Sequence, residues 1–409
     1  MLSKKIIVPI FQIGLILIAC LLILIYLLTN VIDWYYPDSI VQIGFVKETN
    51  LLGAIYANWA YTTLGRPGGV FWIDLWFYFA DLFNFNNFYG LILYRISSFA
   101  VAGLGILMLV KELFKINFLL SLYISLLFIL IFIISTGQFN LTFIWELDLS
   151  LYVVGIFYFC ILVIYGLKIN KGEITKFNFI FFTFFYLLYL NSSYAHLVTG
   201  GLLLLILFFD FDEFKKYLLS PKKICYDIFL LKENRIFFLK RNKIFLFQLF
   251  VYLLSAIINL LSPSIGIREN IWPSDSSFIT GLITSLPLLE YSILHIWGFK
   301  YLYITFTIIF LIKFLDLKIN ISNFVIISLI LLTPFILILT NALAYLSESL
   351  HTRYSPDSGS IYIFKNLFYL NHASSARHMT YYNLHAIVSY IFLGVMISKI
   401  NYSKKKVKT

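Results

Sequence analysis

Apolar runs of about twenty residues recur along this chain, at 6–29, 89–110, 116–134, 149–167, 244–261 and 321–340. A helix rising 1.5 Å per residue needs about twenty such residues to cross roughly 30 Å of hydrocarbon. Inside lipid the backbone must satisfy its own polar groups, and a helix does so within one segment. The expected fold is therefore an all-α integral membrane protein. Composition agrees, because 61% of the residues are hydrophobic and 12% charged, too apolar for a soluble 409-residue chain with one or two cores. The net charge of +11 would suggest a nucleic-acid partner in a soluble protein. Here the basic residues lie between apolar runs, where they report orientation and attraction to anionic membrane lipid, and no nucleic acid is implied.

Lys4 and Lys5 precede a first run that is longer than a signal-peptide core and lacks a small-x-small cleavage site, so it reads as a retained helix. Cys20 and Cys160 lie inside apolar runs and Cys225 in a basic stretch, which leaves no pair for a disulfide on an oxidising face.

Three regions need charge to interpret them. Residues 177–209 are too long for one span and short for two, with the polar run Asn191-Ser192-Ser193-Tyr194-Ala195-His196 at their middle. One span would put the lysines before it and the basic stretch after it on opposite sides, against the positive-inside rule. Two short helices keep both inside, with a polar turn recessed from the outer surface that protein or a water-filled cavity must surround. Residues 279–312 are interrupted by Pro287, Glu290 and His295 and read as one span, 294–312, after a surface or re-entrant segment. Residues 382–397 return the chain inside, ahead of Lys404-Lys405-Lys406. The outcome is one polytopic domain, 1–409, with about ten transmembrane helices, interfacial helices in its outer loops, and both termini cytoplasmic. Outer loops cover 30–88 and 341–381, and a basic cytoplasmic loop covers 210–243. A bacterial inner membrane is the expected setting.

Of the 31 Lys and Arg, this arrangement leaves eight outside or in outer half-spans: Lys47, Arg66, Arg95, Arg268, Lys300, Arg353, Lys365 and Arg377. Acids outnumber them there. All 6 histidines also fall outside, although they were not used to choose the arrangement.

The chemistry-bearing groups therefore collect on the outer face. The first loop holds Asp33-Trp34-Tyr35-Tyr36-Pro37-Asp38, then Tyr56-Ala57-Asn58-Trp59, then Gly65-Arg66-Pro67-Gly68-Gly69. The aromatic segment 70–79 follows, with Asp74 and, just beyond it, Asp81 on one helical face, which reads as a helix lying in the headgroup layer. A carboxylate just outside the first span can take a proton from an acceptor hydroxyl, as a general base does in group transfer. Asp33 is the first candidate and Asp38 the second. Arg66, Arg268, Arg353 and Arg377 share their face, and arginine grips phosphate through paired hydrogen bonds. A carboxylate, phosphate clamps and an apolar cavity suit a lipid-phosphate substrate. Each group alone has a plainer reading, as a helix cap or a headgroup anchor. His372, Arg377, His378 and His385 add hydrogen-bonding or proton-transfer capacity, but their spacing matches no compact zinc motif. Gly103 and Gly105 complete no nucleotide fingerprint and read as a close helix contact.

In this order the motifs resemble the GT-C superfamily, polytopic membrane glycosyltransferases that use polyprenyl-phosphate-linked sugars, including its glucosyltransferase-like bacterial members. The pair Asp33 and Asp38 resembles the family's acidic motif after the first helix, although four residues separate the acids here. The stretch from Trp59 to Arg66 is similar to a lengthened Trp-x-Gly-Arg element. Ser262-Pro263-Ser264-Ile265-Gly266-Ile267-Arg268 is similar to a Pro-Gly-Asn-x-x-Arg element without its Asn, and Asn191 to His196 stands where an acid would be expected. The likeness covers most of the chain in layout and few residues in identity. It implies a lipid-linked sugar donor and a glycan or lipid acceptor. Asp33 and Asp38 would be the catalytic pair, and Arg66, Arg268, Arg353, Arg377, His378, His196 and Trp59 the substrate-binding residues. It requires no cofactor and admits a divalent metal. A transporter or flippase of a lipid-linked or polar substrate, a surface-polysaccharide polymerase or ligase, and a non-catalytic assembly partner each fit part of the pattern.

The arrangement has a direct check. A reporter fused within residues 341–381 is expected to be active outside the membrane and silent inside it; cytoplasmic activity there overturns an outer-face site.

Overall fold

The computed structural model describes residues 37–61, 66–85, 87–114, 118–135, 153–170, 175–192, 194–208, 232–264, 302–314 and 392–398, together with a few isolated positions. These residues are helical almost throughout, and none forms a strand. In chain order the helices are α1 (Pro37–Glu48), α2 (Leu51–Tyr61), α3 (Pro67–Leu82), α4 (Asn87–Phe114), α5 (Phe118–Ser135), α6 (Val154–Asn170), α7 (Lys176–Leu190), α8 (Tyr194–Phe208), α9 (Lys232–Leu260) and α10 (Leu302–Phe314).

Two stretches among the described residues are long and apolar enough to cross a membrane, Gly90–Phe114 in α4 and Lys243–Leu260 in α9. Val154–Ile169, Lys176–Leu190 and His196–Phe208 are shorter apolar helices. The expected spans at 6–29 and 321–340 lie outside the described residues apart from isolated helical positions in the first.

Contacts between helices fix their relative directions. Gly105 of α4 lies so close to α6 that a methyl group there would stand 2.9 Å from the Phe157 Cα. Further along both helices, Lys111 and Lys168 line one cavity, so α4 and α6 run the same way. Gly155 lies against His196 and Gly166 against Leu207, which makes α6 and α8 parallel and in register. Along α7 and α9, Phe179 meets Phe247 at 5.2 Å between ring centroids, the Gln248 Nε2 donates to Thr183 Oγ1 at 2.7 Å, and the Asn191 Nδ2 donates to Ser255 Oγ at 3.2 Å. These two helices are therefore parallel as well. Thr305 of α10 donates to the Tyr390 carbonyl at 2.9 Å and Ile308 meets Gly394, so α10 runs alongside the last described helical residues.

Charge alone divides residues 177–209 into two helices, and the chain does turn at Asn191 and Ser192. Thr175 caps the start of α7, its hydroxyl accepting from the Asn178 N–H, and Asn191 forms the other cap. Between those caps α7 has 15 residues, about 22 Å at 1.5 Å per residue.

Two parts of the chain differ from the sequence expectation. The segment expected to form the first outer loop holds three successive helices, α1 to α3, and α3 packs on α1, α2, α4 and α7 instead of lying as a lone surface helix. Its Val70, Ile73, Asp74 and Phe77 are buried while Asp81 is exposed. The two acids share a face by spacing, but Asp81 falls in the last turn, where the chain leaves through Phe83 and the left-handed Asn84 (φ 53°). In the basic segment, residues 232–243 form the first three turns of α9 and not a loop. No Gly or Pro interrupts them, and the Lys, Arg and Glu there are good helix formers.

Gly68 is the tightest constraint. A Cβ there would strike the Leu188 carbonyl and approach the Asn191 carbonyl carbon to 2.9 Å, both backbone atoms that cannot swing aside. Gly68→Ala is expected to cost about 1–3 kcal/mol through overpacking, read as a lower melting temperature of the detergent-purified protein. Gly44→Ala meets nothing within 4 Å and serves as the control, with no loss expected.

Candidate functional site

The elements singled out in the sequence meet around the α7–α8 turn. Helix α3 starts at Pro67, whose missing N–H costs nothing at that position, with Arg66 as the residue before it. The Gly68 N–H donates to the Asn191 carbonyl at 3.0 Å. One helix's unused N-terminal donor thus satisfies the acceptor at another helix's C-terminal end, both of which lack partners within their own helices. The Gly69 N–H donates to the Arg66 carbonyl at 3.1 Å, so both donors are occupied by backbone.

The Asn191 side chain carries the junction into α9. Its Nδ2 donates to the Leu187 carbonyl at 2.9 Å and to Ser255 Oγ, and its Oδ1 accepts from Asn259 Nδ2 at 3.0 Å. The Ser192 hydroxyl closes back on the Leu188 carbonyl at 2.6 Å. Asn191, Ser192, Ser255 and Asn259 are all buried, and their hydrogen bonds account for that burial.

Helix α2 is tied to the same end of α9. The Trp59 indole donates to the Ile258 carbonyl at 3.1 Å, filling one of the acceptors left open in the last turn of α9. The Ser262 hydroxyl donates to the Trp59 carbonyl at 2.7 Å and pairs with Ser264 at 2.7 Å. Beside Trp59, the rings of Tyr56 and Tyr61 stand exposed, Tyr56 lying 5.9 Å from Trp59 and 6.1 Å from Tyr61 between centroids. The Trp59–Arg66 stretch, the Asn191 turn and the Ser262 segment are remote in sequence, and the fold brings them to one end of the bundle.

A second polar group lies among helices α1, α2 and α3. Gln42 of α1 and Asn58 of α2 exchange two side-chain hydrogen bonds at 2.6 Å, and the Asn58 Nδ2 also donates to Asp74 Oδ2 of α3 at 3.1 Å. All three residues are buried, and Asp74 Oδ1 has no hydrogen-bond partner. Burial raises the Asp74 carboxyl from 3.8 to about 8, with the Asn58 hydrogen bond opposing the shift. Asp74 and Arg95 of α4 are the two fully buried Asp, Glu, Lys or Arg side chains among the described residues. Trp72 ties α3 to α4 through Ser98, with Nε1 to Oγ at 3.1 Å.

The sequence candidates divide accordingly. Trp59 and Arg66 lie at the junction, with Arg66 immediately before α3 and half-buried. His196 is completely buried, its ring against Gly155 and edge-on to Tyr189 at 4.6 Å, so it is part of the α6–α7–α8 packing and not of an open binding surface. Asp38 falls in the first turn of α1. Asp33, Arg268, Arg353, Arg377 and His378 lie outside the described residues. Among the described residues no three His, Cys, Asp or Glu stand together as a metal site. Gln42 and Asn259 escaped sequence reasoning, which singled out Asn58 and Asp74 without giving either a place in the site. Their signal is polar residues within apolar helical stretches, and which of them pair becomes visible only once the helices are packed.

Compared with protein-family models, curated proteins and solved structures, the chain matches none.

The Asp74 shift has a definite sign. An acid whose folded pKa lies above its unfolded value binds its proton more tightly in the folded state, so its stabilising effect is complete below about pH 4 and is lost as pH rises toward about 8. The melting temperature should fall across that window in the wild type. Asp74→Asn, which mimics the neutral form, should flatten the fall; a wild-type profile already flat from pH 4 to 8 contradicts the assignment.

Proposed function

We propose that the protein is a multi-pass membrane glycosyltransferase of the GT-C kind, moving a sugar from a polyprenyl-phosphate donor to a glycan or lipid-linked acceptor on the outer face. The observation that carries this reading is the convergence of the Trp59–Arg66 stretch, the Asn191 turn and the Ser262 segment. These are three of the four stretches on which the family likeness rests, and the fourth, at Asp33, leads directly into α1. Membrane residence is supported by the two long apolar helices and the three shorter ones. The parallel pairs α4 with α6, α6 with α8 and α7 with α9 are those that successive crossings in alternating directions require.

In this reading Asp33 accepts the proton of the acceptor hydroxyl as its oxygen attacks the anomeric carbon. The bond from that carbon to the phosphate oxygen breaks, and polyprenyl phosphate leaves as an anion held by Arg66, Arg268 or Arg377. Arg353 and His378 extend the polar rim, and Asp38 is the second carboxylate. The exposed faces of Tyr56 and Tyr61 beside Trp59 suit sugar C–H faces or a prenyl chain. This scheme needs no divalent metal; were one bound, Asp33 and Asp38 would be the residues to hold it, and it would offset the charge of the leaving phosphate.

Burial of Arg95 within α4 favours a second reading, a transporter of a lipid-linked or polar substrate, because ionisable side chains held within membrane helices mark substrate paths.

Purified protein in proteoliposomes, supplied with polyprenyl-phosphate sugars, separates the two. Transfer by the wild type and a loss of about a hundredfold or more in Asp33→Asn is expected from removal of a general base. Transfer unaffected by the substitution removes Asp33 from catalysis, and sugar-lipid translocation without transfer selects the transporter.

A further inference from the structure

At the opposite end of the bundle from the Asn191 junction, α4 and α6 enclose an open cavity of about 440 Å³. It is lined by Met108, Lys111, Glu112, Ile116, Ile164 and Lys168. The two helices touch closely at Gly105 and Phe157 and part further along, where the α4–α5 connection at Ile116 forms one wall. The volume falls in the range that receives small ligands, about 300–1,000 Å³.

The lining has two chemistries. Met108, Ile116 and Ile164 are its apolar lining, and Lys111 and Lys168 are its two basic residues. Lys168 is half-buried, and its Nζ lies 5.4 Å from the centroid of the Tyr165 ring one turn earlier on α6. Glu112 is the one acid in the lining, so the cavity is net positive.

The geometry points to a binding site for the phosphate of an anionic phospholipid, with the phosphate between Lys111 and Lys168 and the glycerol and upper acyl carbons against Met108, Ile116 and Ile164. Its assignment to the inner leaflet rests on the topology given under the proposed function; the chemistry of the cavity does not. A free phosphate ion shares the charge of the headgroup, but the apolar wall offers it nothing. This site is distinct from the outer-face junction, and it would let inner-leaflet composition act on the α4–α6 pair.

The test uses the full-length protein in detergent, with native mass spectrometry following phosphatidylglycerol and phosphatidylcholine adducts in the presence and absence of inorganic phosphate. Phosphatidylglycerol is expected to bind more tightly than phosphatidylcholine and to resist displacement by phosphate. Lys111→Gln and Lys168→Gln should each weaken it roughly tenfold through loss of a charge-assisted contact. Lys313→Gln, an exposed lysine in the last turn of α10, should leave it unchanged. Equal affinity for the two lipids, equal weakening by Lys313→Gln, or displacement by phosphate would overturn the lipid site. Lys111 is exposed, so Lys111→Gln carries the test alone if Lys168→Gln does not fold. Placement is read separately: Lys111→Cys in intact cells should resist an impermeant maleimide until the cells are opened. Labelling from outside would overturn the inner-leaflet assignment and the topology, while the lipid selectivity measured in detergent stands independently.

Discussion

Helix α7 is an apolar helix too short to cross a membrane unaided, and the α1–α3 end of this protein depends on how its C-terminal turn is satisfied. Helix α7, capped by Thr175 and Asn191, rises about 22 Å, against roughly 30 Å of hydrocarbon. Unpaired peptide groups at that depth would be costly. The chain answers with protein: the Gly68 N–H meets the Asn191 carbonyl, and Ser255 and Asn259 take up the Asn191 amide. This pairing accounts for the packing of α3 on α7 and for the close approach at Gly68, where a Cβ would meet the Leu188 and Asn191 backbone.

Once α3 is drawn down onto the turn, its neighbours follow. Helix α2 is fastened to the end of α9 by the two bonds of Trp59, and α1 reaches α3 through Gln42, Asn58 and Asp74. This leaves a carboxyl deep within the outer-loop helices, where burial favours its protonated form. The exposed ring cluster at Tyr56 and Tyr61 is held at a fixed place on the rim. A rigid rim beside the residues that follow the first span is what a group-transfer site at Asp33 would need, because positioning of the reacting groups supplies much of the rate.

Much of the helical layout could be read from apolar run length and the placement of lysine. The turn within 177–209 was legible because charge forbade a single span and Asn191-Ser192 supplied the polar residues. The close contact at Gly105 was legible from a small residue in an apolar run. The three-helix fold of the first loop was not: Trp59, Gly68 and Asn58 looked like motif residues, and each proves to hold backbone or side-chain partners far away in sequence. His196 looked like a binding residue because it is polar within a span, yet Gly155 and Tyr189 enclose it. Polar groups in apolar helices announce that a partner exists, without saying whether that partner is a ligand or another helix.

The central claim is that the outer-loop helices seal the recessed turn, and cysteine reactivity measures it most directly. Ser192 is fully buried and Tyr61 is 67% exposed at the same end of the bundle. In a background with Cys20, Cys160 and Cys225 replaced by alanine, Ser192→Cys and Tyr61→Cys would be treated with an impermeant maleimide on intact cells. The account predicts rapid labelling of Tyr61→Cys from outside, and none of Ser192→Cys until the protein is unfolded in detergent. Labelling of Ser192→Cys at the rate of Tyr61→Cys would contradict it.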